Sequence, residues 1–315
     1  MIRVYYKDGS NFTYENPSAS KHLKIDELLW VDLLSPSPEE IIWIEGNLNL
    51  PVPTSHEREE IELTSRYWEE EHFITINSSF FVHDSGDGTN ESLSFVLKDD
   101  FVVTVRFTDL ISFAEITRRY LSNPLAIKNG LEFFSLLLDI RVDLDADMVE
   151  KLVRKISKVR KSVMESDTVS ESTFKEIGKY ESANMNLREN LMDKQRIITS
   201  LIKSKKVPNK MVKEFRITLE DVKSLIEHTE FNFDRIDYVQ DIALANLAIE
   251  QNVAIKVFTI VSVVFLPPTL IASIYGMNFQ YMPELDEKYA YPIALFAMLV
   301  SAITPLAWFK KKGWL

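Results

Sequence analysis

The spacing of apolar residues changes along the chain, and each change predicts a different kind of structure. Residues 1–130 alternate short apolar or β-branched runs with turn residues, which is typical of strands joined by loops and short helices. The segment SPSPEE at residues 35–40 has the composition of a helix start. The runs that predict strands are 2–6, 29–33, 73–82 and 93–107, the last hinged at Asp99 and Asp100. We therefore expect an N-terminal α/β domain.

From residue 131 the apolar residues follow helical spacing almost without interruption. Residues 131–164 and 171–206 predict two long helices separated by a break rich in Ser, Thr and Asp. A third segment begins after Pro208 and contains neither Gly nor Pro until Pro267. As a single helix from residue 209 to residue 273 it would have 65 residues and span roughly 98 Å at about 1.5 Å per residue. A stalk that continues into a membrane helix needs this length, whereas a globular domain does not.

Two apolar runs near the C-terminus are long enough to cross a bilayer. Residues 255–274 contain one charged residue, Lys256, and residues 291–309 contain none. Each run has about the 20 residues that ~30 Å of hydrocarbon requires. The alternative is that they are buried core helices of a soluble protein. The sequence favours a first transmembrane helix at 253–274 and a second at 291–309, joined by a loop at 275–290.

Charges beside the spans predict their orientation. The N-terminal sequence lacks the apolar core of a signal peptide, and two spans place both termini on the same side of the membrane. Lys310, Lys311 and Lys312 directly follow the second span, and such clusters face the cytoplasm. We therefore expect cytoplasmic termini, an extracytoplasmic loop at 275–290 and a basic cytoplasmic tail at 310–315. This is the arrangement of a multi-pass protein surrounded by the lipid of the plasma or inner membrane.

Taken together, these segments predict an α+β multi-domain membrane protein. A cytoplasmic α/β domain is expected at residues 1–130. Long cytoplasmic helices, including the start of a helical stalk, are expected at residues 131–252. The two transmembrane helices follow, and the first of them continues the stalk.

The composition excludes several classes of function. The formal net charge of -11 argues against a nucleic-acid partner, because phosphate binding needs clustered Lys and Arg, and it suits a protein that meets cations. The absence of Cys excludes disulfides and thiolate metal sites. There is no G-x-x-x-x-G-K-[ST] phosphate loop and no G-x-S-x-G motif, and the segment HEREE at residues 56–60 lacks the second His of a zinc protease. We expect a protein that is not an enzyme and needs no organic cofactor.

One face of the first span carries nearly all of its polar side chains. At 100° per residue, seven positions fall within an arc of about 100°: Asn252, Ile255, Thr259, Ser262, Leu266, Thr269 and Ser273. Ser and Thr hydroxyls could simply donate to the carbonyl one turn earlier, or small polar residues could join neighbouring helices. A stripe that begins at an amide and ends at Gly276 is better explained as the wall of a water-filled pore, and so narrow a stripe requires several copies around an axis.

The segment after the first span has the chemistry of a hydrated-cation site. Gly276 lets the chain leave the helix with its carbonyls exposed, and Asn278 offers a neutral amide oxygen. Mg²⁺ holds its water shell tightly, so neutral oxygens can accept the hydrated ion without dehydrating it. Beyond them, Glu284, Asp286 and Glu287 form an acidic segment that would concentrate cations if repeated around a ring. The simpler alternative for these acids is a solvated loop.

The same residues carry a resemblance to a known family. Tyr275-Gly276-Met277-Asn278, then MPEL at residues 282–285, then a second span that ends in lysines and Trp314-Leu315, resembles the CorA magnesium-transport family. The resemblance is closest from Asn252 to the C-terminus, and before that it concerns architecture. It implies a homopentameric, funnel-shaped cation channel, which would supply the copies that the polar stripe requires.

The resemblance also implies roles for particular residues. Gly276, Met277 and Asn278 would form the outer selectivity filter, and Asn252 and Thr269 would line polar levels of the pore. Apolar rings at Ile255, Phe258 and Leu266 would form the constriction. Phe258 lies at the edge of the polar stripe.

In this family Mg²⁺ bound between cytoplasmic domains closes the channel, which implies acidic sensor residues. Asp139, Asp143 and Asp147 share one helix face at i, i+4 and i+8, and Glu220 and Asp221 lie on the stalk. A solvated acidic face is the alternative. The segment DLDAD at residues 143–147 begins like an EF-hand loop, but Met148 and Arg154 replace its required Gly and Glu.

The sequence as a whole favours a homopentameric channel that passes hydrated Mg²⁺ into the cytoplasm, with Co²⁺ and Ni²⁺ as further candidate ions. Mg²⁺ would be the transported ion, and Mg²⁺ inside the cell would also be the ligand that closes the channel. Two alternatives remain open at this point. The chain could be a transporter of Zn²⁺ or another divalent cation in the same superfamily, or a membrane-anchored oligomeric sensor or scaffold.

Overall fold

The structure is a computed structural model that describes residues 1–14, 23–54, 66–82, 88–98, 100–165 and 169–313. The chain forms two compact units: the first contains residues 1–165 and 170–240, and the second contains Asp241–Leu315 with residues 166–169. Sequence features at 56–60, Asp99 and 314–315 lie outside the described residues.

The first unit contains a seven-stranded sheet in the order β2-β1-β3-β7-β6-β5-β4. Strands β3 and β7 run parallel, and all other neighbours are antiparallel. The predicted strands at 2–6 and 73–82 are confirmed, and the run 93–107 belongs to two antiparallel strands. The bounds are β1 Ile2–Tyr6, β2 Asn11–Tyr14, β3 Leu28–Leu34, β4 Tyr67–Glu69, β5 Phe73–Val82, β6 Thr89–Lys98 and β7 Phe101–Arg106.

The α-helices of the described residues are α1 Pro38–Leu48, α2 Ile111–Ser122, α3 Gly130–Glu165, α4 Glu171–Lys203, α5 Asn209–Tyr275 and α6 Ala290–Lys311. The start of α1 follows its sequence signal, because the Ser37 hydroxyl accepts from the Glu40 N–H while the Glu40 carboxylate accepts from the Ser37 N–H. Helix α4 ends three residues before the predicted residue 206, because Ser204 has an extended backbone and the Lys206 ammonium contacts carbonyls at the end of the sheet.

The two faces of the sheet bury different helices, because successive side chains of a strand point to opposite sides. Trp30 faces α2 and α3, where it contacts Phe113 and Phe133. Its neighbour Val31 belongs to the second core, together with Ile44 of α1. The first core also includes apolar residues of α4 and the first part of α5. The first unit is therefore a sheet between α1 on one side and α2 to α5 on the other.

A buried ion pair stabilises the parallel strand pair at the centre of the sheet. The Arg106 guanidinium donates to both carboxylate oxygens of Asp32, at 3.0 and 2.8 Å. Thr104 donates its hydroxyl to the same carboxylate at 2.9 Å. Every one of these side chains is buried. Such a bidentate arrangement satisfies charges that would otherwise destabilise the core.

The last two helices are long and apolar enough to cross a membrane. Helix α5 is continuous for 67 residues, two more than the 65 predicted from the sequence, and retains helical backbone through Pro267 and Pro268. None of the most apolar stretch of α5 is buried, and Phe258 is 76% exposed. A core helix of a soluble protein would be mostly buried, so that alternative does not fit. A surface this apolar is stable only in contact with lipid or with other protein chains.

Candidate ion pathway and sensor groove

All residues predicted to line the pore lie on the continuous helix α5, so their periodic spacing corresponds to one helix face. Asn252, Ile255 and Thr259 line a single surface groove together with Lys256 and Ile260. Phe258 does not line this groove and lies on an adjacent part of the surface. The groove includes one positive charge that the predicted pore stripe does not contain.

The two threonine hydroxyls of the stripe bond to their own helix. Thr259 donates to the carbonyl of Ile255 and Thr269 donates to that of Phe265, each at 2.8 Å. The first alternative raised from the sequence, back-bonding, is therefore observed for both residues. A hydroxyl that has donated its proton still presents lone pairs as an acceptor. At these two positions the face can thus accept hydrogen bonds from water, because the hydroxyl protons are already donated to the helix.

Helix α5 ends at the sequence motif that follows it. The N–H of Gly276 donates to the Ala272 carbonyl at 2.9 Å, and that of Met277 donates to the Ile274 carbonyl at 3.2 Å. A Cβ built at Gly276 would lie 3.1 Å from the Ala272 oxygen, so a side chain would crowd this last turn. Asn278 follows in an irregular, exposed segment. Within the described chain its amide has no hydrogen-bond partner, and it is available to a ligand.

The predicted outer acids are placed on a short turn in the same loop. Glu284 and Asp286 belong to the one-turn 3₁₀ helix Pro283–Asp286, and Glu287 follows it. All three are exposed. None of them has an ion-pair partner among the described residues, so each can present its full charge to solvent.

Only some of the predicted sensor residues are brought together. Asp139 and Asp143 on α3 line a groove of about 260 Å³ opposite Asp221 on α5. The groove also contains Glu214, which the sequence analysis missed. The hydroxyl of Thr218 donates to Asp139 at 2.7 Å. Loss of solvation raises the pKa of Asp139, an effect that the Thr218 hydrogen bond opposes and the neighbouring Asp143, Glu214 and Asp221 reinforce.

Asp147 and Glu220 do not belong to this groove. Asp147 is exposed farther along α3, and Glu220 forms an ion pair with Lys223 at 2.7 Å. Glu214, Thr218 and Asp221 follow one another at i, i+4 and i+7 on α5, and this spacing is the signal that could have found the groove. Within the described ranges, no three acidic or His side chains of a single chain have the geometry to hold a metal ion.

These features define a class of membrane protein that combines a large α/β unit with two helices long and apolar enough to span a bilayer. The chain belongs to the CorA-like Mg²⁺ transporter protein family, whose profile matches residues 26–311. Its relatives include the magnesium transport protein CorA of Campylobacter jejuni, which is 40% identical over 332 residues and 100% of both chains. That of Wolinella succinogenes is 40% identical over 293 residues and 91% of both chains.

Solved structures support the same fold. The CorA magnesium transporter of Methanocaldococcus jannaschii has a TM-score of 0.78 at 17% identity, over 100% of this chain and 98% of that one. The full-length CmaX protein has a TM-score of 0.70 at 15% identity, over 98% and 96% of the two chains. The resemblance seen in the sequence is therefore confirmed at the level of family and fold. The protein is a membrane protein of a magnesium-transport family.

Proposed function

We propose that this chain forms a homopentameric channel that passes hydrated Mg²⁺ into the cytoplasm and closes when intracellular Mg²⁺ is high. The family match over residues 26–311 carries the proposal, since it covers both spans and the motif between them. Full-length relatives that are named magnesium transport proteins support Mg²⁺ as the transported ion. In this arrangement both termini are cytoplasmic and the Asn278 loop faces outward.

The chemistry of the pore face suits a cation that keeps its water. Water bound to Mg²⁺ points its protons outward, so a wall for the hydrated ion must accept hydrogen bonds. Thr259 and Thr269 have already donated their protons to helix carbonyls and act as acceptors. Asn278 adds an amide oxygen at the outer end. Neither span contains Asp or Glu, and neutral oxygens would release a divalent ion faster than carboxylates would.

Several copies are needed because one helix face cannot enclose water. The polar stripe covers about 100° of α5, and apolar side chains cover much of the remainder. Leu266 is 66% exposed on the stripe, while Phe265 beside it is 64% exposed. Around a fivefold axis the stripe would face the pore and the remaining faces would contact neighbouring chains and lipid. Ile255, Phe258 and Leu266 would then form apolar rings that close the pore by excluding water.

The membrane potential can supply the driving force. Moving one charge through 100 mV releases about 2.3 kcal/mol, and a divalent ion therefore gains about twice that amount. No site for nucleotide hydrolysis is required. The acidic residues Glu284, Asp286 and Glu287 would increase the local cation concentration at the outer mouth.

The groove on α3 and α5 is the candidate sensor for closure. Asp139, Asp143 and Asp221 would bind Mg²⁺ together with a group from a neighbouring copy, since no three acidic or His side chains in the described part of one chain have the geometry to hold a metal ion. An ion that binds only when copies are closely packed stabilises the closed state. Loss of this ion at low internal Mg²⁺ would release the helices and open the pore.

Reconstitution into liposomes tests the proposal. Vesicles that contain a trapped Mg²⁺ indicator and an inside-negative potential should take up Mg²⁺ when the purified protein is present, and the uptake should fall as Mg²⁺ is added inside. A scaffold would pass no ions. A zinc transporter would pass Zn²⁺ in preference to Mg²⁺, an outcome that the absence of Cys and of His in the pore stripe disfavours. Parallel assays with Co²⁺ and Ni²⁺ establish the order of preference.

A further inference from the structure

A cavity in the first unit lies between α3 and α4, and none of its lining residues belongs to the predicted ion pathway. It has a volume of about 530 Å³, which falls within the usual range for small-molecule sites. Its floor is apolar and its rim is charged. A binding site for an organic ion requires an apolar surface and a few charged groups, and the cavity has both.

Four lysines surround this cavity in a protein whose net charge is -11. Lys151 and Lys155 lie one turn apart on α3, and Lys175 and Lys179 lie one turn apart on α4. Lys175 forms an ion pair with Glu171 at 2.7 Å. Lys151 and Lys179 are exposed, and neither has an ion-pair partner in the described part of the chain. Two ammonium groups therefore remain free to bind an anion.

The floor of the cavity offers a flat, apolar surface. Phe81, Leu152 and Leu187 are buried beneath it. On one wall the Tyr180 hydroxyl donates to Glu176 at 2.5 Å, which fixes the orientation of its ring. The Lys155 ammonium lies 5.8 Å from the centre of that ring, within the range of a cation–π contact. An aromatic group could be accommodated here beside the ammonium groups of the rim.

The floor is held in place by a buried charged cluster directly below it. The Arg141 guanidinium donates to the Phe81 carbonyl at 2.8 Å and to the Asp145 carboxylate. The same guanidinium contacts the sulfur of Met148, another lining residue, at 3.7 Å. The cavity therefore has a preformed floor, and a ligand would not need to order it.

The geometry points to a binding site for a nucleoside polyphosphate. Lysine ammonium groups act as point charges and are well suited to bind phosphate. A ligand with a single carboxylate would be better matched by the planar, bidentate guanidinium of an Arg, and no Arg among the described residues lines the cavity. The apolar floor and Tyr180 would contact the base. The phosphates would lie between Lys151 and Lys179, the two lysines without partners.

Titration of the full-length protein with ATP tests this site directly. The protein is placed in nanodiscs of phosphatidylcholine with chelator present, and binding is followed by calorimetry. We expect saturable binding with one site per chain. Inorganic triphosphate should bind about tenfold more weakly than ATP, because it lacks the group that contacts the floor. Equal affinities, or no binding of ATP, would overturn the proposal.

Charge-reversed variants locate the site. Lys151→Glu with Lys179→Glu should weaken ATP binding by about tenfold or more. The matched control is Lys205→Glu with Lys213→Glu, two exposed lysines outside the cavity whose replacement changes the net charge equally and should leave the affinity within about twofold. Equal weakening of ATP binding in both variants would show that the effect comes from the change in net charge, and the proposed site would be wrong.

A filled cavity gives an independent test without a change in charge. Ala183 is half-buried in the cavity wall, and Ala183→Phe should block ATP while thermal unfolding and Mg²⁺ transport are retained. A soluble short-chain phosphatidylglycerol is the competing probe. If it binds in a manner sensitive to Lys151→Glu with Lys179→Glu while ATP does not bind, the site belongs to a lipid headgroup and the nucleotide assignment is wrong.

Discussion

The ammonium of Lys194 lies 3.1 Å from the Asp145 carboxylate, and both side chains are 0% exposed. The pair joins α4 to α3 beneath the sheet. Arg141, which is also buried, donates to the same carboxylate. Two cations therefore share one buried anion, and the charged form of Lys194 is only partly compensated. Burial lowers the pKa of Lys194 to about 8, an effect that Arg141 increases and the attraction of Asp145 opposes.

We expect this lysine to give a recognisable pH dependence of stability. Between about pH 8 and 10.5 the unfolded state binds the Lys194 proton and the folded state does not, so the contribution of Lys194 to the free energy of unfolding rises with pH in this interval. Below this range the cost of burying the charge is fully present. Thermal unfolding of wild type and Lys194→Met should therefore show a difference that shifts in favour of wild type from pH 8 to pH 10.

The control for this prediction is Lys203→Met, which removes an exposed lysine from the same helix. An exposed ammonium keeps most of its hydration, so its difference from wild type should stay nearly constant over the same pH range. A parallel change in both variants would show that the buried pair is not the source of the pH dependence.

Closure by internal Mg²⁺ should depend on the carboxylates that share the groove. Asp143→Asn with Asp221→Asn removes two charges that face each other across it. We expect the internal Mg²⁺ concentration that halves uptake into liposomes to rise by about tenfold or more, because divalent binding depends on the number of charged ligands.

A control with the same change in charge is available for the groove. Asp147→Asn with Glu220→Gln alters two acids that were predicted from the sequence but lie outside the groove. This variant should close at nearly the wild-type concentration. The opposite result, with the control impaired and the groove variant normal, would move the sensor to the other carboxylates.

The amide of Asn278 should be needed for uptake. Asn278→Ala removes the neutral oxygen proposed to accept the hydrated ion, and Mg²⁺ flux should fall by about tenfold, which corresponds to the loss of one hydrogen bond worth roughly 1.4 kcal/mol. Gln280→Ala removes a second exposed amide from the same loop and should leave the flux almost unchanged. Undiminished flux in Asn278→Ala would exclude this residue from the selectivity filter.

The acidic turn outside the pore should act through its electric field. Replacing Glu284, Asp286 and Glu287 by Gln, Asn and Gln should lower Mg²⁺ uptake at low ionic strength. The difference from wild type should shrink as salt is added, since the Debye length falls to about 8 Å at 0.15 M. An effect that is independent of salt would indicate direct binding of the ion rather than attraction to the mouth.

Two glycines should respond oppositely to an added methyl group. A Cβ at Gly130 would lie 2.3 Å from the backbone carbon of Phe101, so Gly130→Ala should lower the unfolding temperature. Gly178 lies in the interior of α4 with nothing within 4 Å of an added Cβ. Gly178→Ala should stabilise the helix by roughly 0.5–1 kcal/mol. Thermal unfolding by circular dichroism compares the two variants.

Local patterns were sufficient to predict many elements but not all. The β-branched runs predicted β1 and β5 to the residue, and Ser37 with Glu40 gave a capping box that needs no distant contact. Helix α2 was missed although Phe113, Ile116 and Tyr120 follow helical spacing. The apolar face of α2 packs against Trp30 and the sheet, and this contact joins distant parts of the chain.

The candidate sensor residues also show which features local sequence patterns predict and which depend on tertiary packing. The sequence grouped Asp139, Asp143 and Asp147 because they share a helix face, yet the groove combines two of them with Glu214 and Asp221 from another helix. Which acids face one another depends on how α3 packs against α5, and the helical period alone does not contain that information. Asp147 lies beyond the point where the two helices enclose the groove.

The sequence by itself determined the two spans, the long helix before them and the motif that ends it. Each of these features is recognised in a contiguous stretch of residues: by the length of an apolar run, by helical spacing, or by a motif that resembles a known family. Only the tertiary structure decided which carboxylates form a groove, which lysines surround the cavity between α3 and α4, and how Lys194 shares Asp145 with Arg141. These relationships join residues far apart in the chain, and they arise from the packing of helices on one side of a sheet.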